Sequence, residues 1–239
     1  MTMDRDAVWR AWDEVSETYA NQRDPTGSDA DLLADLVELV GADATVLDVG
    51  CGDGARTLAN LPGGSVGLNV SRRGLELARD TVGHKHVNVL VNVRGHASRR
   101  PRNSYRSGGI TCVRQYETVP GARRLQGEMT QLPVAADSVD AITAYHAVFH
   151  VPRADHPAVY REFARVLRPG GTLLMTLPGG RFETVREGWM GGRMLFSAPG
   201  REATLSQLRE AGFADVRTRT VTDPLGSDAE FAFADFEGE

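Results

Sequence analysis

The stretch VLDVGCGDGAR, from Val46 to Arg56, constrains the fold of this 239-residue chain more than any other feature. An apolar run typical of a buried strand ends here, and glycines follow at positions 50, 52 and 54. Glycine adopts backbone conformations that other residues avoid, and it leaves room for a second group to touch the main chain. The pattern therefore predicts a strand that opens into a tight loop, with a ligand lying against the loop backbone.

Strands and helices alternate along the rest of the sequence. Short apolar runs predict strands at residues 45–49, 65–70, 124–128, 139–144, 171–177 and about 230–236, with one more strand after Gly212. Amphipathic patterns predict helices at residues 4–22, 28–40, 55–61, 71–80 and 156–167, with one more before Gly212. Such alternation predicts a parallel sheet covered on both faces, whose ligands lie beyond the carboxyl ends of the strands. The glycine loop falls at this edge, and a helix beginning after it would favour an anionic group there.

Composition narrows the class of protein and of partner. Hydrophobic residues make up 41% and charged residues 25% of the chain, which is typical of one soluble domain. We find no apolar run long enough to span a membrane and no secretory signal. The two cysteines, Cys51 and Cys112, have neither metal-site spacing nor a disulfide framework. We therefore expect the protein to be located in the reducing cytoplasm. The net charge of −5 argues against nucleic acid as the main partner.

Five motifs occur in the order found in class I S-adenosylmethionine-dependent methyltransferases. VLDVGCGDG resembles the first motif of that family, and VGLNVSRRGLELAR resembles its second strand and helix. GEMTQLPVAADSVDAITAYHAVFHV resembles its third and fourth strands, REFARVLRPGGTLLMT its next helix and fifth strand, and LREAGFADV its late helix and sixth strand. The resemblance covers about residues 12–236 except 83–119. It implies a Rossmann-like, doubly wound α/β sheet of seven mostly parallel strands, the last antiparallel, with an N-terminal helical cap over residues 1–43.

The resemblance also implies how the cofactor S-adenosylmethionine would be bound. Its methionine carboxylate would lie at the helix start near Gly52 and Gly54, and Asp48 would hold the amino-acid end directly or through water. Glu128 would accept a hydrogen bond from the adenine amino group, and the Met129 main chain would meet the ring edge. The cofactor-binding candidates are Tyr19, Asp48, Gly50, Cys51, Gly52, Gly54, Asn69, Glu128, Met129 and Tyr145.

Asn69 departs from the family pattern, because a carboxylate usually ends the second strand and meets the ribose hydroxyls. An amide offers one acceptor and one donor group, so we expect weaker cofactor binding. A neutral residue here would also tolerate the 2′-phosphate of NADP, which leaves an NAD(P)-binding oxidoreductase as one alternative. That alternative needs a catalytic lysine, and the only lysine of the chain is Lys85. A cofactor-binding protein without catalysis is the other alternative.

The expected reaction is an in-line methyl transfer, for which an enzyme mainly positions two reactants and excludes water. His146, at the end of the fourth predicted strand, is the candidate general base, with a packing role as the alternative. His150 follows one helical turn later and resembles a structural family histidine; without a third ligand we expect no metal. An Asn- or Asp-Pro-Pro-aromatic signature and a nucleic-acid-binding appendage are both missing from the sequence. We therefore expect a small-molecule acceptor and no nucleic-acid or membrane partner, and the oligomeric state stays open.

Two segments add to this single domain. Residues 178–200 are rich in glycine yet carry apolar side chains such as Trp189 and Phe196, which favours a mobile lid over the acceptor, with a satellite core cluster as the alternative. Residues 83–119 hold seven basic residues against one acidic residue, and we interpret them as an insertion with an added hairpin. Topology places that insertion at the amino end of the sheet, opposite the cofactor. Tyr19 lies near the end of the first predicted helix. It either contacts the methionine group of the cofactor or only packs within the protein, and both roles stay open.

Overall fold

A computed structural model of the chain describes residues 3–23, 27–82, 88–89, 125–222 and 228–238. Within these ranges the helices are α1 (Arg5–Gln22), α2 (Ala30–Val40), α3 (Arg72–Val82), α4 (His156–Val166) and α5 (Arg201–Glu210). The strands are β1 (Val46–Val49), β2 (Val66–Asn69), β3 (Asn88–Val89), β4 (Leu125–Gln126), β5 (Val139–Ala144), β6 (Leu167–Thr176), β7 (Arg181–Trp189), β8 (Gly192–Pro199), β9 (Phe213–Thr222) and β10 (Asp228–Phe236). None of the described helices is both long and apolar enough to cross a membrane.

The central sheet confirms the predicted Rossmann-like fold class. Its strand order is β3-β2-β1-β5-β6-β10-β9, with β4 also paired to β2. The pairings among β1, β2, β5 and β6 are parallel, whereas β10 runs antiparallel to both of its neighbours. The described sheet has eight strands where seven were predicted, because two short strands share one edge position. β3 pairs with the first half of β2 and β4 with the second half.

Helices cover both faces of this sheet, which explains why its inner strands are apolar throughout. On one face, α4 and α5 bury side chains such as Phe163 and Leu208 against β5 and β6. On the other face, α2 buries Leu32, Leu33 and Leu36 against the first strand and the last. α1 lies against α3 and β8 instead, so it extends over the carboxyl edge of the sheet.

The helix predicted at residues 55–61 is not formed. The chain makes turns that lead into a single 3₁₀ turn at Leu58–Asn60. Arg56 and Thr57 are buried and direct their side chains to Asp29 and Asp48, so tertiary hydrogen bonds fix this segment instead of a helical ladder. The glycine loop therefore does not continue into an α-helix, and the helix N-terminus expected to hold an anion is missing here.

The segment at residues 178–200 is a β-hairpin of β7 and β8 rather than a plain loop. Its buried side chains Met194 and Leu195 pack against Val8, Ala11 and Val15 of α1. The satellite cluster weighed as the alternative is therefore present, and a lid function of the hairpin stays a prediction. Of the proposed insertion at 83–119, only β3 lies within the described residues, so the insertion and its added hairpin also stay predictions.

Candidate functional site

A cavity opens at the carboxyl ends of β1, β2, β4 and β5, and α1 forms its roof. Eight of the eleven residues predicted for the site line this cavity: Tyr19, Gly50, Gly52, Asn69, Glu128, Met129, Tyr145 and His146. The other three, Asp48, Cys51 and Gly54, lie behind the lining. The position of the cavity agrees with the rule that parallel sheets bind ligands at this edge.

The three loop glycines serve different purposes, although each has a positive φ, of 80°, 57° and 73° in chain order. A Cβ atom at position 50 would lie 2.6 Å from the Cβ atom of Ala147, and one at position 54 would lie 3.3 Å from Leu58. A Cβ atom at position 52 would meet no described atom within 4 Å. Gly50 and Gly54 therefore make room for the protein itself, whereas Gly52 leaves open space beside the cavity.

Asp48 shapes the loop from below the cavity lining. Its side chain accepts hydrogen bonds from the hydroxyls of Thr143, at 2.8 Å, and Thr57. Burial raises the pKa of Asp48 to about 6, against the opposing effect of these two hydroxyls. Cys51 is buried against Leu58, and burial also raises the pKa of its thiol. Neither side chain faces the cavity, so the contact expected between Asp48 and the cofactor stays a prediction that requires a bridging water.

Asn69 ends β2 at the cavity, as predicted, and ties the glycine loop to the start of α3. Its Oδ1 accepts a hydrogen bond from the Ser71 backbone N–H at 3.2 Å. Its Nδ2 donates to the Gly52 carbonyl at 3.4 Å. The side chain thus already has two protein partners, and its contact with a ribose stays a prediction.

α1 is fixed over the cavity by a polar contact that the sequence did not reveal. Ser71 caps α3, because its Oγ accepts from the Gly74 N–H at 2.9 Å. The same hydroxyl donates to Asp13 of α1 at 2.7 Å, and Asp13 also accepts from the Arg73 N–H at 3.1 Å. An acidic residue on a polar helix face gives no local signal of such a distant partner.

Glu128 lies at the edge of the cavity beside the roof helix. Its carboxylate forms an ion pair with Arg5 of α1 and accepts a hydrogen bond from Thr130. Arg5 also lies 2.9 Å from Asp155, so it joins α1 to two loops at the sheet edge. Arg5 lines the cavity but was not predicted, because nothing near it in the sequence marks a site.

A buried ion pair lies under the other side of the cavity. Arg56 and Asp29 are 1% and 0% exposed, and Arg56 donates to the Asp29 carboxylate through Nε, at 2.6 Å, and Nη2. The Tyr145 hydroxyl donates to the Asp29 carbonyl at 3.0 Å, and burial raises the pKa of this tyrosine. Tyr145 therefore reaches the cavity with its hydroxyl already bound. The sequence gives no signal for this pair, because its two members share no motif.

His146 follows β5 in a left-handed backbone conformation, with φ at +50°. Its N–H donates to the Thr176 hydroxyl at 2.8 Å, which holds the residue at the strand end. Burial lowers the pKa of the imidazole to about 3; the positive charges of Arg23 and Arg56 add to this effect, and Asp29 opposes it. Its Nε2 lies 4.0 Å from Asp29. The imidazole is therefore neutral at physiological pH.

Aromatic rings form the wall between α1 and the β7–β8 hairpin. The His150 ring centroid lies 4.9 Å from that of Trp12 and 4.9 Å from that of Phe196. Trp12 also packs edge-on against Tyr19 at 5.4 Å and Trp189 at 5.6 Å. His150 Nδ1 lies 2.8 Å from the Leu195 carbonyl oxygen, which connects this wall to the hairpin. The position of His150 is thus a packing position within the wall.

A family model described as a methyltransferase domain matches residues 47–175, which include the glycine loop and most of the cavity floor. The chain belongs to the class I S-adenosylmethionine-dependent methyltransferases. The predictions of family and cofactor are therefore confirmed, and the predicted enzyme class is confirmed at the level of this domain. The residues present fit this cofactor, because Gly52 leaves space beside the loop and the Glu128 carboxylate, an acceptor, lines the cavity; the contact of Glu128 with the adenine stays a prediction.

The chain is similar to parts of three curated relatives. Methyltransferase GfsG of Streptomyces halstedii is 38% identical over 137 residues, which are 56% of this chain and 37% of the relative. Erythromycin 3''-O-methyltransferase of Saccharopolyspora erythraea is 32% identical over 112 residues, 41% of this chain and 36% of the relative. The 27-O-demethylrifamycin SV methyltransferase of Amycolatopsis mediterranei is 26% identical over 205 residues, 84% of this chain and 56% of the relative. The matched regions span between about a third and just over half of these relatives.

Solved structures share the fold at lower sequence identity. Burkholderia thailandensis 1,6-didemethyltoxoflavin-N1-methyltransferase, solved with S-adenosylhomocysteine, aligns with a TM-score of 0.62 at 15% identity and covers 100% of this methyltransferase and 92% of its own chain. The [4+2]-cyclase SpnF aligns with a TM-score of 0.62 at 16% identity over 98% and 97% of the two chains. A protein named as a cyclase shares the fold, so the fold by itself does not fix the acceptor.

Proposed function

We propose that this methyltransferase transfers a methyl group from S-adenosylmethionine to a hydroxyl oxygen of a neutral, largely apolar small molecule. The observation that carries the proposal is the neutral imidazole of His146, which lines the cavity between the glycine loop and the aromatic wall. The names of two relatives, an erythromycin 3''-O-methyltransferase and a 27-O-demethylrifamycin SV methyltransferase, support oxygen as the methylated atom.

The bound cofactor supplies a methyl group on a positively charged sulfur, already activated for displacement. At the cofactor end, Gly52 gives the space, and Asn69 and Glu128 offer polar contacts to the ribose and the adenine. α1 closes this end through Arg5 and Asp13, which fix it to the loops around the cavity. The contribution of these residues is to bind and orient the cofactor, not to change it.

At the acceptor end, His146 would accept a hydrogen bond from the hydroxyl that is methylated. With a pKa of about 3 in the free protein, the imidazole is a weak base, so its first role is to orient the oxygen. Proton uptake as the methyl group arrives would be favoured by the Asp29 carboxylate, 4.0 Å from Nε2. The Thr176 hydroxyl keeps the imidazole in place through the His146 backbone N–H.

The charges around the cavity favour a neutral acceptor. Among the described lining residues, Glu128 is the only acidic side chain, and it is paired with Arg5. A cationic amine would find no free carboxylate there and would lose its hydration without compensation. Apolar acceptor surface can instead pack on Trp12 and on the Val151–Pro152 loop, which also exclude water from the reacting atoms.

The test uses labelled S-adenosylmethionine with three kinds of acceptor: neutral glycosylated macrolactones that carry free hydroxyls, the same scaffolds with an amino group in place of a hydroxyl, and transfer RNA. We expect labelled product from the neutral hydroxyl compounds, with the methyl group on oxygen by tandem mass spectrometry. Methylation of nitrogen or of RNA would overturn the acceptor assignment. Binding of S-adenosylhomocysteine without turnover of any acceptor would support a binding protein without catalysis.

A variant tests the role of His146 separately. His146→Asn removes the imidazole but keeps a residue that tolerates a positive φ. We expect kcat to fall by about 10²- to 10⁴-fold, the usual range for a proton-transfer group, with unchanged affinity for S-adenosylhomocysteine. An unchanged kcat would show that His146 only packs against the cavity.

A further inference from the structure

Two partly buried phenylalanines lie beside His146 and form what we call the phenylalanine platform. Phe149, in a 3₁₀ turn at Val148–His150, has its ring centroid 6.0 Å from that of the His146 imidazole. Phe196 of β8 stacks on Phe149, with centroids 5.9 Å apart and ring planes 19° apart. Neither ring is among the described residues that line the cavity, and both side chains are partly exposed to solvent. The platform is therefore an apolar surface that leads from the hairpin to the candidate base.

The platform lies on a side of His146 that solvent can reach. Two of the rings that contact the imidazole are those of Phe149 and of Phe231, the latter at 5.7 Å. Phe231 is 0% exposed and belongs to the core of the sheet, whereas Phe149 is partly exposed. The cavity beside the glycine loop would be taken up by the cofactor. An acceptor that approaches His146 from solvent would therefore pass over Phe149.

Two hydrogen bonds fix the two rings of the platform relative to each other. His150 donates through Nδ1 to the Leu195 carbonyl, at 2.8 Å. The Ser197 hydroxyl, which is fully buried, donates to the Val151 carbonyl. These bonds join residues that directly neighbour or closely follow each phenylalanine in the sequence. A surface held in place in this way loses little conformational freedom when a ligand binds to it.

Arg186 of β7 bounds the platform at its outer end. Its guanidinium carbon lies 4.6 Å from the ring centroid of Phe196, which places a positive charge against that ring. The residue is exposed, so its charge also faces the solvent beside the platform. A cationic group of a ligand would be repelled there. The platform is therefore suited to an uncharged, apolar ring.

We propose that the phenylalanine platform binds a ring of the acceptor, so that this ring packs on Phe149 and Phe196 while a hydroxyl of the same molecule reaches His146. The ligand is a neutral molecule with an apolar ring face, which an aromatic ring and the C–H face of a saturated ring both provide. Part of the acceptor then lies outside the cavity. The proposal rests on the proposed function, because it takes His146 as the group that orients the methylated oxygen.

The test measures ligand binding by calorimetry to protein saturated with S-adenosylhomocysteine, so no methyl transfer is required. The two ligands are a neutral glycosylated macrolactone with free hydroxyls, which offers saturated rings, and 2-naphthol, which offers an aromatic ring with one hydroxyl. Phe149→Leu and Phe196→Leu should each weaken binding of both ligands about 2- to 12-fold, the range of ring-packing contributions. The control Phe182→Leu changes a partly exposed ring on the other strand of the hairpin and should stay within about twofold of the wild type.

Unchanged binding of both ligands in Phe149→Leu or Phe196→Leu would overturn the proposal. A matching loss of affinity for S-adenosylhomocysteine, measured first for each variant, would overturn it as well, because it would indicate a structural role for the rings. A loss for one ligand alone would support the platform and identify the kind of ring that it takes.

The two ligands also separate this proposal from the proposed function. If the macrolactone does not bind the wild type but binding of 2-naphthol depends on both phenylalanines, the platform stands and the acceptor class proposed above is wrong. If neither ligand binds the wild type, the platform itself is overturned. Circular dichroism confirms that each variant is folded.

Discussion

Alanine substitutions at Gly50 and Gly52, in the loop after β1, should separate two reasons for glycine there. One is close packing within the protein, and the other is space for the cofactor. At Gly50, an alanine must adopt a φ near +80°, and its Cβ would lie 2.6 Å from the Cβ atom of Ala147. The left-handed conformation costs about 1–2 kcal/mol, and overpacking of this kind adds about 1–3 kcal/mol. Gly50→Ala should therefore lower the free energy of unfolding by about 2–5 kcal/mol. At about 2–4 °C per kcal/mol for a chain of this size, the loss in Tm is about 4–20 °C.

Gly170 provides a matched control for the backbone cost. Its φ is +79°, and a Cβ atom there would meet no described atom within 4 Å. Gly170→Ala should therefore cost only the conformational part, about 1–2 kcal/mol. The difference between the two variants then measures the contact with Ala147. Equal losses of Tm for Gly50→Ala and Gly170→Ala would refute the claim that this close approach requires glycine.

Gly52→Ala should affect binding more than stability, because its Cβ would enter open space beside the cavity. We expect a conformational cost of about 1–2 kcal/mol, as for Gly170→Ala. Crowding of the bound cofactor by about 1–3 kcal/mol corresponds to a roughly 5- to 150-fold weaker affinity for S-adenosylhomocysteine. Calorimetric titration of both variants decides the point. If Gly52→Ala binds as tightly as Gly170→Ala, Gly52 does not face the cofactor.

Three further predictions concern charges around the cavity. Arg56→Met leaves the buried Asp29 carboxylate unpaired and should lower the free energy of unfolding by about 3–5 kcal/mol in urea denaturation; a loss below about 1 kcal/mol would contradict a tight pair. Asn69→Asp should restore an acceptor for the ribose and tighten binding of S-adenosylhomocysteine by ~1 kcal/mol in calorimetry. Weaker binding would mean that the hydrogen bond from the Asn69 amide to the Gly52 carbonyl contributes more to the site than the restored acceptor does. Stability should fall as the pH is lowered from about 6.5 towards 4, because burial holds the pKa of three histidines at about 3 to 4 while the unfolded chain takes up protons near 6.5. Asp48, whose pKa is raised to about 6, takes up a proton in the folded state over the same pH range, which offsets the effect of about one histidine. The urea midpoints at pH 7.5 and pH 4.5 should therefore still differ. Equal midpoints would contradict the burial of His146, His150 and His156.

Much of the fold follows from local patterns in the sequence. The alternation of short apolar runs with amphipathic segments was enough to predict a parallel sheet, because strand and helix periods differ and both are local properties. The positions of the glycine loop, of Asn69 at a strand end and of the helix that follows from about residue 71 were predicted for the same reason. Each depends on residues within a few positions of one another. The edge of the sheet at which the cavity opens followed from the strand directions alone.

Tertiary structure decided the features that join distant parts of the chain. The segment at residues 55–61 has a helical pattern, yet Arg56 and Thr57 bind inside the fold, and buried hydrogen bonds outweigh the small preference of a short helix. The Asp29–Arg56 pair and the Asp13 contact with α3 likewise depend on how α1 and α2 lie on the sheet. A charged side chain has the same local appearance whether it is solvated or buried. Only the packing of the elements decides which of these charges find a partner.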